Sequence, residues 1–140
     1  AMHTFLKPRL LLAGAAAAVL AVPSAAVAAP VKLAAPLSGG SSADPDGSGT
    51  FTAEVDADLG DFCYTLNLAK LGKVTGAAVH AAGSPDPLVK LEISGTSADE
   101  CIAAEPSVLK PIVENPANYA VTVRTSDFPA GAVQGALARK

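Results

Sequence analysis

The chain has 140 residues, half of them hydrophobic and only 4% aromatic, and its formal net charge is −3. A chain with an acidic balance lacks the basic stripe that nucleic-acid binding needs, so the composition argues against a nucleic-acid partner. The shortage of aromatic rings also argues against a stacking platform for sugars or bases.

The N-terminal segment has the pattern of a secretory signal peptide. Lys7 and Arg9 precede a run of thirteen apolar residues, and a small-residue motif, Ala-Val-Ala, ends at Ala28. This order is typical of exported proteins, and thirteen apolar residues are too few for a bilayer, which needs roughly 20. We therefore expect a signal peptide over residues 1–28, cleavage after Ala28, and no stable membrane span afterwards.

The mature part, residues 29–140, suits one domain that is secreted or periplasmic. Cleavage would remove Lys7 and Arg9 but no acidic residue. Eight of the ten basic residues would then stand against thirteen acidic ones, a balance of −5. The short Ala-rich leader and the compact chain are typical of a bacterial protein.

Most of the mature chain alternates apolar and polar residues with a period of two, which indicates half-buried β-strands. Turns rich in Gly, Ser, Asp and Pro separate these segments. The segments lie near 31–37, 49–56, 61–69, 74–80, 87–93, 119–125 and 133–137. We therefore predict an all-β fold, an antiparallel Greek-key (immunoglobulin-like) β-sandwich of about seven strands.

One segment has helical spacing instead. Its apolar residues recur every three to four positions: Val108, Leu109, Ile112 and Val113. This spacing predicts one short helix over 107–114, before the penultimate strand. Pro116 ends the helix because a residue that precedes proline avoids the α region.

Two cysteines, Cys63 and Cys101, form an even pair, which in an exported chain is typical of one disulfide. Two free thiols are the alternative. Cys63 lies on the strand face opposite Phe62 and Tyr64, so a bridge would attach the loop that we expect to hold Cys101 to the exterior of the sheet. Closing a loop of this length stabilises a domain by about 4 kcal/mol in the chain-entropy model.

The mature chain has one histidine, His80, and nothing in it matches a catalytic signature such as G-x-S-x-G. A single His without a free thiol cannot supply the three or four ligands of zinc or copper. Asp44 and Asp46 resemble the start of a calcium loop without its later ligands, and we interpret them as a turn. We predict no cofactor, no metal and no catalytic residue.

The segment "NPANYAVTVRTSDFPAGAVQGAL" (115–137) resembles the C-terminal signature of chordin-type (CHRD) domains. The upstream segments "DPDGSGTFTAEVD", "FCYTLNL", "TGAAVHAAG" and "CIAAEPSVLKPIVENP" are similar, in the same order, to other parts of that family. The resemblance covers Val31 to Leu137. It implies an extracellular β-sandwich module of no established catalytic activity.

The chain departs from the family pattern where that pattern has histidines. Ala78 and His80 stand in place of a His-x-His pair, and Thr122 and Arg124 in place of Asn and His. By alternation each pair shares one strand face, so the four residues would cluster if the two strands are neighbours. We regard them as a candidate family-site face, without a metal site.

We therefore predict an exported CHRD domain-containing protein that acts as a non-enzymatic binding or structural module. Its partner is unknown, with a protein or a cell-envelope component among the candidates. The alternative is a secreted metal-binding protein or enzyme that uses the face around His80 and Arg124. A third reading is an inhibitor or adhesion module that pairs through an exposed sheet edge.

The disulfide can be tested by mass. If Cys63 and Cys101 are bridged, mass spectrometry without reductant should find the mature chain about two mass units lighter than its reduced form. Equal masses would show two free thiols and remove the bridge from any account of stability.

Overall fold

The computed structural model describes residues 29–40 and 43–140. The expected signal peptide, residues 1–28, lies outside the described residues. Within the described ranges, no helix combines the length and apolar character needed to cross a bilayer.

The described chain is all-β apart from two short helices. The strands are β1 (Val31–Ser38), β2 (Ser48–Asp56), β3 (Asp61–Ala69), β4 (Val74–Ala81), β5 (Pro87–Leu91), β6 (Ser97–Ala103), β7 (Tyr119–Thr125), β8 (Val133–Ala136) and β9 (Ala138–Arg139). The helix α1 (Pro106–Glu114) and a 3-10 turn (Pro116–Asn118) lie between β6 and β7. The all-β class and the single short α-helix are confirmed.

The nine strands belong to one antiparallel sheet with the order β5-β4-β7-β8-β1-β2-β3-β6, while β9 pairs with β1. This sheet curls into a half-barrel. The Greek-key sandwich is not confirmed, and the count of about seven strands is wrong, because β6 and β9 were not expected. Alternation indicates which face of a strand is buried, but it does not give the order of the strands.

The chain connection between the two end strands requires the sheet to curl. Eight flat strands would separate β5 from β6 by seven interstrand spacings, or about 34 Å. The chain from Leu91 to Ser97 takes six residue steps, which reach at most about 22 Å. The ends of the sheet must therefore approach one another, and the concave side closes around the apolar side chains.

The core fills this concave side, as the alternation predicted. Side chains from strands β1 to β8 and from the helix form the core. The largest fully buried side chains include Phe51, Phe62, Leu33, Leu66, Leu109, Ile112, Val79, Val121 and Val123. The ring centroids of Phe51, Phe62 and Tyr64 lie 5.9 to 6.2 Å from one another. The helix α1 buries Leu109 and Ile112 against this core.

The disulfide is present, but it joins two strands. Cys101 lies in β6, directly opposite Cys63 of β3, with their Cα atoms 3.9 Å apart. The prediction that Cys101 lies in a loop is therefore wrong, while the outer-face position of Cys63 is confirmed. The sequence of β6, "SADECIA", lacks the apolar–polar alternation that indicates a strand. Only Ala98 is buried, and the other residues face solvent or are partly exposed.

A tyrosine hydroxyl connects β3 with the β5–β6 connection. The Tyr64 hydroxyl donates to the carbonyl of Glu92 and accepts from its N–H, both at 2.6 Å. Burial raises the pKa of this hydroxyl above its usual value, so it stays protonated and able to donate. The two bonds hold the connection between the end strands against β3, the neighbour of the end strand β6.

The β8–β1 junction joins the two halves of the sheet through a single register pair, Ser38 with Gln134. Gly135 follows immediately, and a β-carbon at this position would overlap the carbonyl oxygen of Pro36. The glycine thus lets the β8 backbone lie directly against β1, which explains in physical terms why β8 begins Val-x-Gly.

Tyr64→Phe should lower the free energy of unfolding by about 1–2 kcal/mol, because two backbone groups of Glu92 lose their partner. Tyr119→Phe is the matched control, since the hydroxyl of Tyr119 makes no hydrogen bond to the described residues. Urea unfolding measures both. Equal losses in the two variants would mean that the Tyr64 hydroxyl does not hold the connection.

Gly135→Ala should destabilise the domain by about 2 kcal/mol or more, because the added methyl group forces the β8 and β1 backbones apart. Gly76→Ala, also within a strand, should have little effect, since a β-carbon there meets no described atom within 4 Å. Thermal unfolding of the pair compares them. A stable Gly135→Ala variant would contradict the close approach at the junction.

Candidate functional site

The four residues of the candidate face lie together on the outer face of the sheet, the face opposite the core. The strands β4 and β7 are direct neighbours, so the condition for a cluster is met. Ala78 pairs with Thr122, and Gly76 pairs with Arg124. His80 follows Ala78 on the same face, so its ring can lean over β7.

The imidazole of His80 is held at both nitrogens. Nδ1 lies 2.9 Å from the carbonyl oxygen of Ala81, and Nε2 lies 2.6 Å from Oγ1 of Thr122. A carbonyl can only accept, so Nδ1 carries a proton and donates to it. In the neutral ring Nε2 therefore accepts from the Thr122 hydroxyl. The half-buried ring is fixed in position and tautomer, whereas a lone exposed histidine would rotate freely.

Thr122 lies beneath this contact and is only 7% exposed. Its methyl group faces the loop after β7, where a β-carbon at Gly131 would lie 3.0 Å from Cγ2. The absence of a side chain at Gly131, whose φ is +146°, allows the loop to approach the sheet. The hydroxyl of Thr122 is thereby directed toward His80.

Two adjoining depressions surround His80, and we call them together the outer cleft. One, of about 370 Å³, is lined by His80, Gly83, Ser84, Pro85, Thr122, Arg124, Ala130 and Gln134. The other, of about 600 Å³, extends toward the end of β1 and is lined by His80, Gly83 and Gln134 again, with Ser38, Gly39, Gly40, Ala82, Ala120, Gly135 and Ala136. Small residues dominate this lining, which leaves the few polar side chains accessible.

The charges in the outer cleft are of one sign. Among the described residues, its lining includes Arg124 and no Asp or Glu. Lys90 of β5 pairs with Ala78 in register, so a second cation lies on the same face. Arg124 is half-buried, and among residues 29–40 and 43–140 it forms no ion pair. The outer cleft is thus a cationic area on a chain whose net charge is negative.

The donor set of the cleft does not suit a metal. Within the part of the chain that the structure describes, no three His, Cys, Asp or Glu side chains lie close enough to share an ion. At the turn with the partial calcium pattern, Asp44 accepts from the backbone N–H of Gly47 at 3.2 Å, as a turn residue does.

Sequence reasoning singled out four residues here and did not include two others in the site. Gln134 faces the cleft from β8, because its register partner is Thr122. Ser84 lines it from the β4–β5 turn and caps that turn through the N–H of Asp86 at 3.3 Å. Strand alternation could have placed Gln134 on the outer face, but only the strand order brings it next to Thr122.

Comparison with known proteins supports the resemblance stated above. A family model described as the CHRD domain matches residues 33–137, which is most of the chain. No curated protein matches the sequence. The predicted resemblance, over Val31 to Leu137, is thereby confirmed.

Proposed function

The chain belongs to the CHRD domain family, and from this membership we propose that it acts as an exported, non-enzymatic binding module whose ligand enters the outer cleft. A structural role in the cell envelope would use the same surface. The proposal includes export, which rests on the signal-peptide pattern and on the disulfide.

The observation that carries the proposal is the fixed placement of polar groups in an open cleft. His80 is held at both nitrogens by Ala81 and Thr122, at 2.9 and 2.6 Å. Arg124 lies beside them without an ion-pair partner among the described residues. Groups that are already fixed lose little conformational entropy on binding, which favours recognition by a rigid surface.

The same contacts disfavour the enzyme alternative. A Thr–His pair resembles a nucleophile with its base, but Nδ1 of the histidine donates to the backbone carbonyl of Ala81, where a catalytic triad has a carboxylate. No carboxylate from residues 29–40 or 43–140 lines the cleft to act as a second acid or base. For the metal alternative the cleft offers one good ligand, His80, where zinc or copper requires three or four.

The position of the disulfide supports export. Cys101 is exposed and Cys63 is half-exposed, so the bridge lies at the surface of the domain. A surface disulfide between paired strands persists in oxidising compartments and is reduced in the cytosol. Secretion to the periplasm or the medium would keep it intact.

The proposal can be tested by blocking the cleft. Ala136→Trp introduces a bulky side chain at an exposed cleft residue of β8, and it should reduce retention of the full chain on cell envelopes of the producing organism. Ala103→Trp is the matched control, since Ala103 is exposed at the end of β6, outside the cleft. Co-sedimentation measures retention.

Loss of retention in Ala136→Trp alone, with unfolding transitions unchanged in both variants, supports binding through the cleft. Equal retention of wild type and Ala136→Trp would contradict the cleft as the binding surface. Turnover of any chemical substrate that His80→Gln abolishes would contradict the non-enzymatic part of the proposal.

A further inference from the structure

We propose that the outer cleft binds an oxyanion, a carboxylate, sulfate or phosphate group, and that protonation of His80 strengthens this binding. Arg124 supplies the fixed positive charge, and Thr122 supplies a donor whose direction depends on His80. The inference rests on the proposed binding function and names the chemical class of the ligand.

The charge of the cleft selects an anion. The guanidinium of Arg124 presents a planar set of N–H donors, a geometry that matches two oxygens of a carboxylate or phosphate. Its charge has no partner among the described residues, and no acidic side chain lines the cleft. A half-buried arginine in this position is complementary to an oxyanion and repels cations.

In the part of the chain that the structure describes, no aromatic ring lines either part of the cleft, so these residues offer no stacking surface for a sugar ring or a base. Polar contacts must then provide most of the recognition. The side chains available for them include Ser84, Gln134 and Ser38, all of which can donate a hydrogen bond to oxygen.

The contact between His80 and Thr122 makes the direction of one donor depend on pH. When the imidazole is neutral, the Thr122 hydroxyl donates to Nε2 across 2.6 Å. Only the lone pairs of Oγ1 then remain for a ligand, and these repel an oxyanion. When Nε2 becomes protonated, it donates to Oγ1 instead. The Thr122 hydroxyl keeps its proton, and its O–H can then point into the cleft.

Protonation of His80 therefore has two effects of the same sign. It adds a positive charge beside the ligand, and it converts Thr122 from an acceptor into a donor. Nδ1 keeps its proton and donates it to the carbonyl oxygen of Ala81 in both states, so the ring keeps its orientation. Binding should thus strengthen when a fall in pH places a second proton on the imidazole.

The neighbouring charges do not reverse this dependence. On β5, Lys90 lies on the same face through its pairing with Ala78, and on β7 the charged group is Arg124. The facing residue of β8, Gln134, is neutral, as is Ser38 at the end of β1. Asp86 in the β4–β5 turn is exposed and does not line the cleft.

Sulfate is the sharpest probe, because its charge does not change over the pH range tested, and acetate provides a carboxylate arm. NMR titration of the full chain, with chloride at matched ionic strength as reference, measures affinity at pH 5.5 and pH 7.5. We expect sulfate to bind roughly tenfold more tightly at the lower pH, from the added charge and donor. The His80 imidazole and the Arg124 side-chain signals should shift together.

Three variants separate the contributions. Arg124→Gln should weaken sulfate binding by about tenfold or more at both pH values, because a charged hydrogen-bond donor is lost. His80→Gln should retain weak binding but lose the pH dependence. Lys110→Gln removes the same charge from the exposed helix surface and should change the affinity less than about twofold.

Equal sulfate affinity of the wild type at the two pH values would overturn the switch, and this measurement needs no variant to fold. Equal weakening by Lys110→Gln and Arg124→Gln would reduce the binding to non-specific charge and overturn the site. If neither sulfate nor acetate binds while Ala136→Trp still lowers envelope retention, the oxyanion inference fails and the proposed function stands. If the Trp variant also has no effect, both fail.

Discussion

The close backbone approach at the β8–β1 junction is the constraint on which the continuous sheet depends. Pro36 has no N–H to donate, so β1 has one backbone hydrogen-bond donor fewer at this point. Gly135, which has no side chain, lies against the Pro36 carbonyl, and the sheet passes from one half to the other through the pair of Ser38 and Gln134. The outer cleft lies across this junction, with His80 on one side and Ser38 on the other.

Local alternation was sufficient to predict much of the fold. In β2, β3 and β7 the residues expected on one face are the ones that the structure buries, as with Phe51, Phe62 and Val121. Alternation failed for β6, whose main-chain pairing with β3 carries almost no apolar pattern. It also could not distinguish a two-sheet sandwich from one curled sheet, because that choice depends on strand order and on the short path from Leu91 to Ser97.

The candidate site shows the same division between local and distant information. The sequence placed Ala78 and His80 on one face of their strand, and Thr122 and Arg124 on one face of theirs. It did not show that the two strands are neighbours. The sequence did not indicate a partner for His80, whereas its ring is hydrogen-bonded to Thr122, 42 residues away in the chain. Register between distant strands determines such a contact, and no property of "VTGAAVHAAG" encodes it.

The Cys63–Cys101 bridge also has a mechanical consequence. Because β9 pairs antiparallel with the start of β1, tension applied at the two ends of the domain opens this ladder one pair at a time. The loop that the bridge closes, with a sequence separation of 38, cannot extend, which removes about 130 Å from the stretched length of the chain. His80 lies inside that loop. A domain held at both ends would therefore yield first at its terminal strands, while the strand that carries His80 remains within a closed covalent ring.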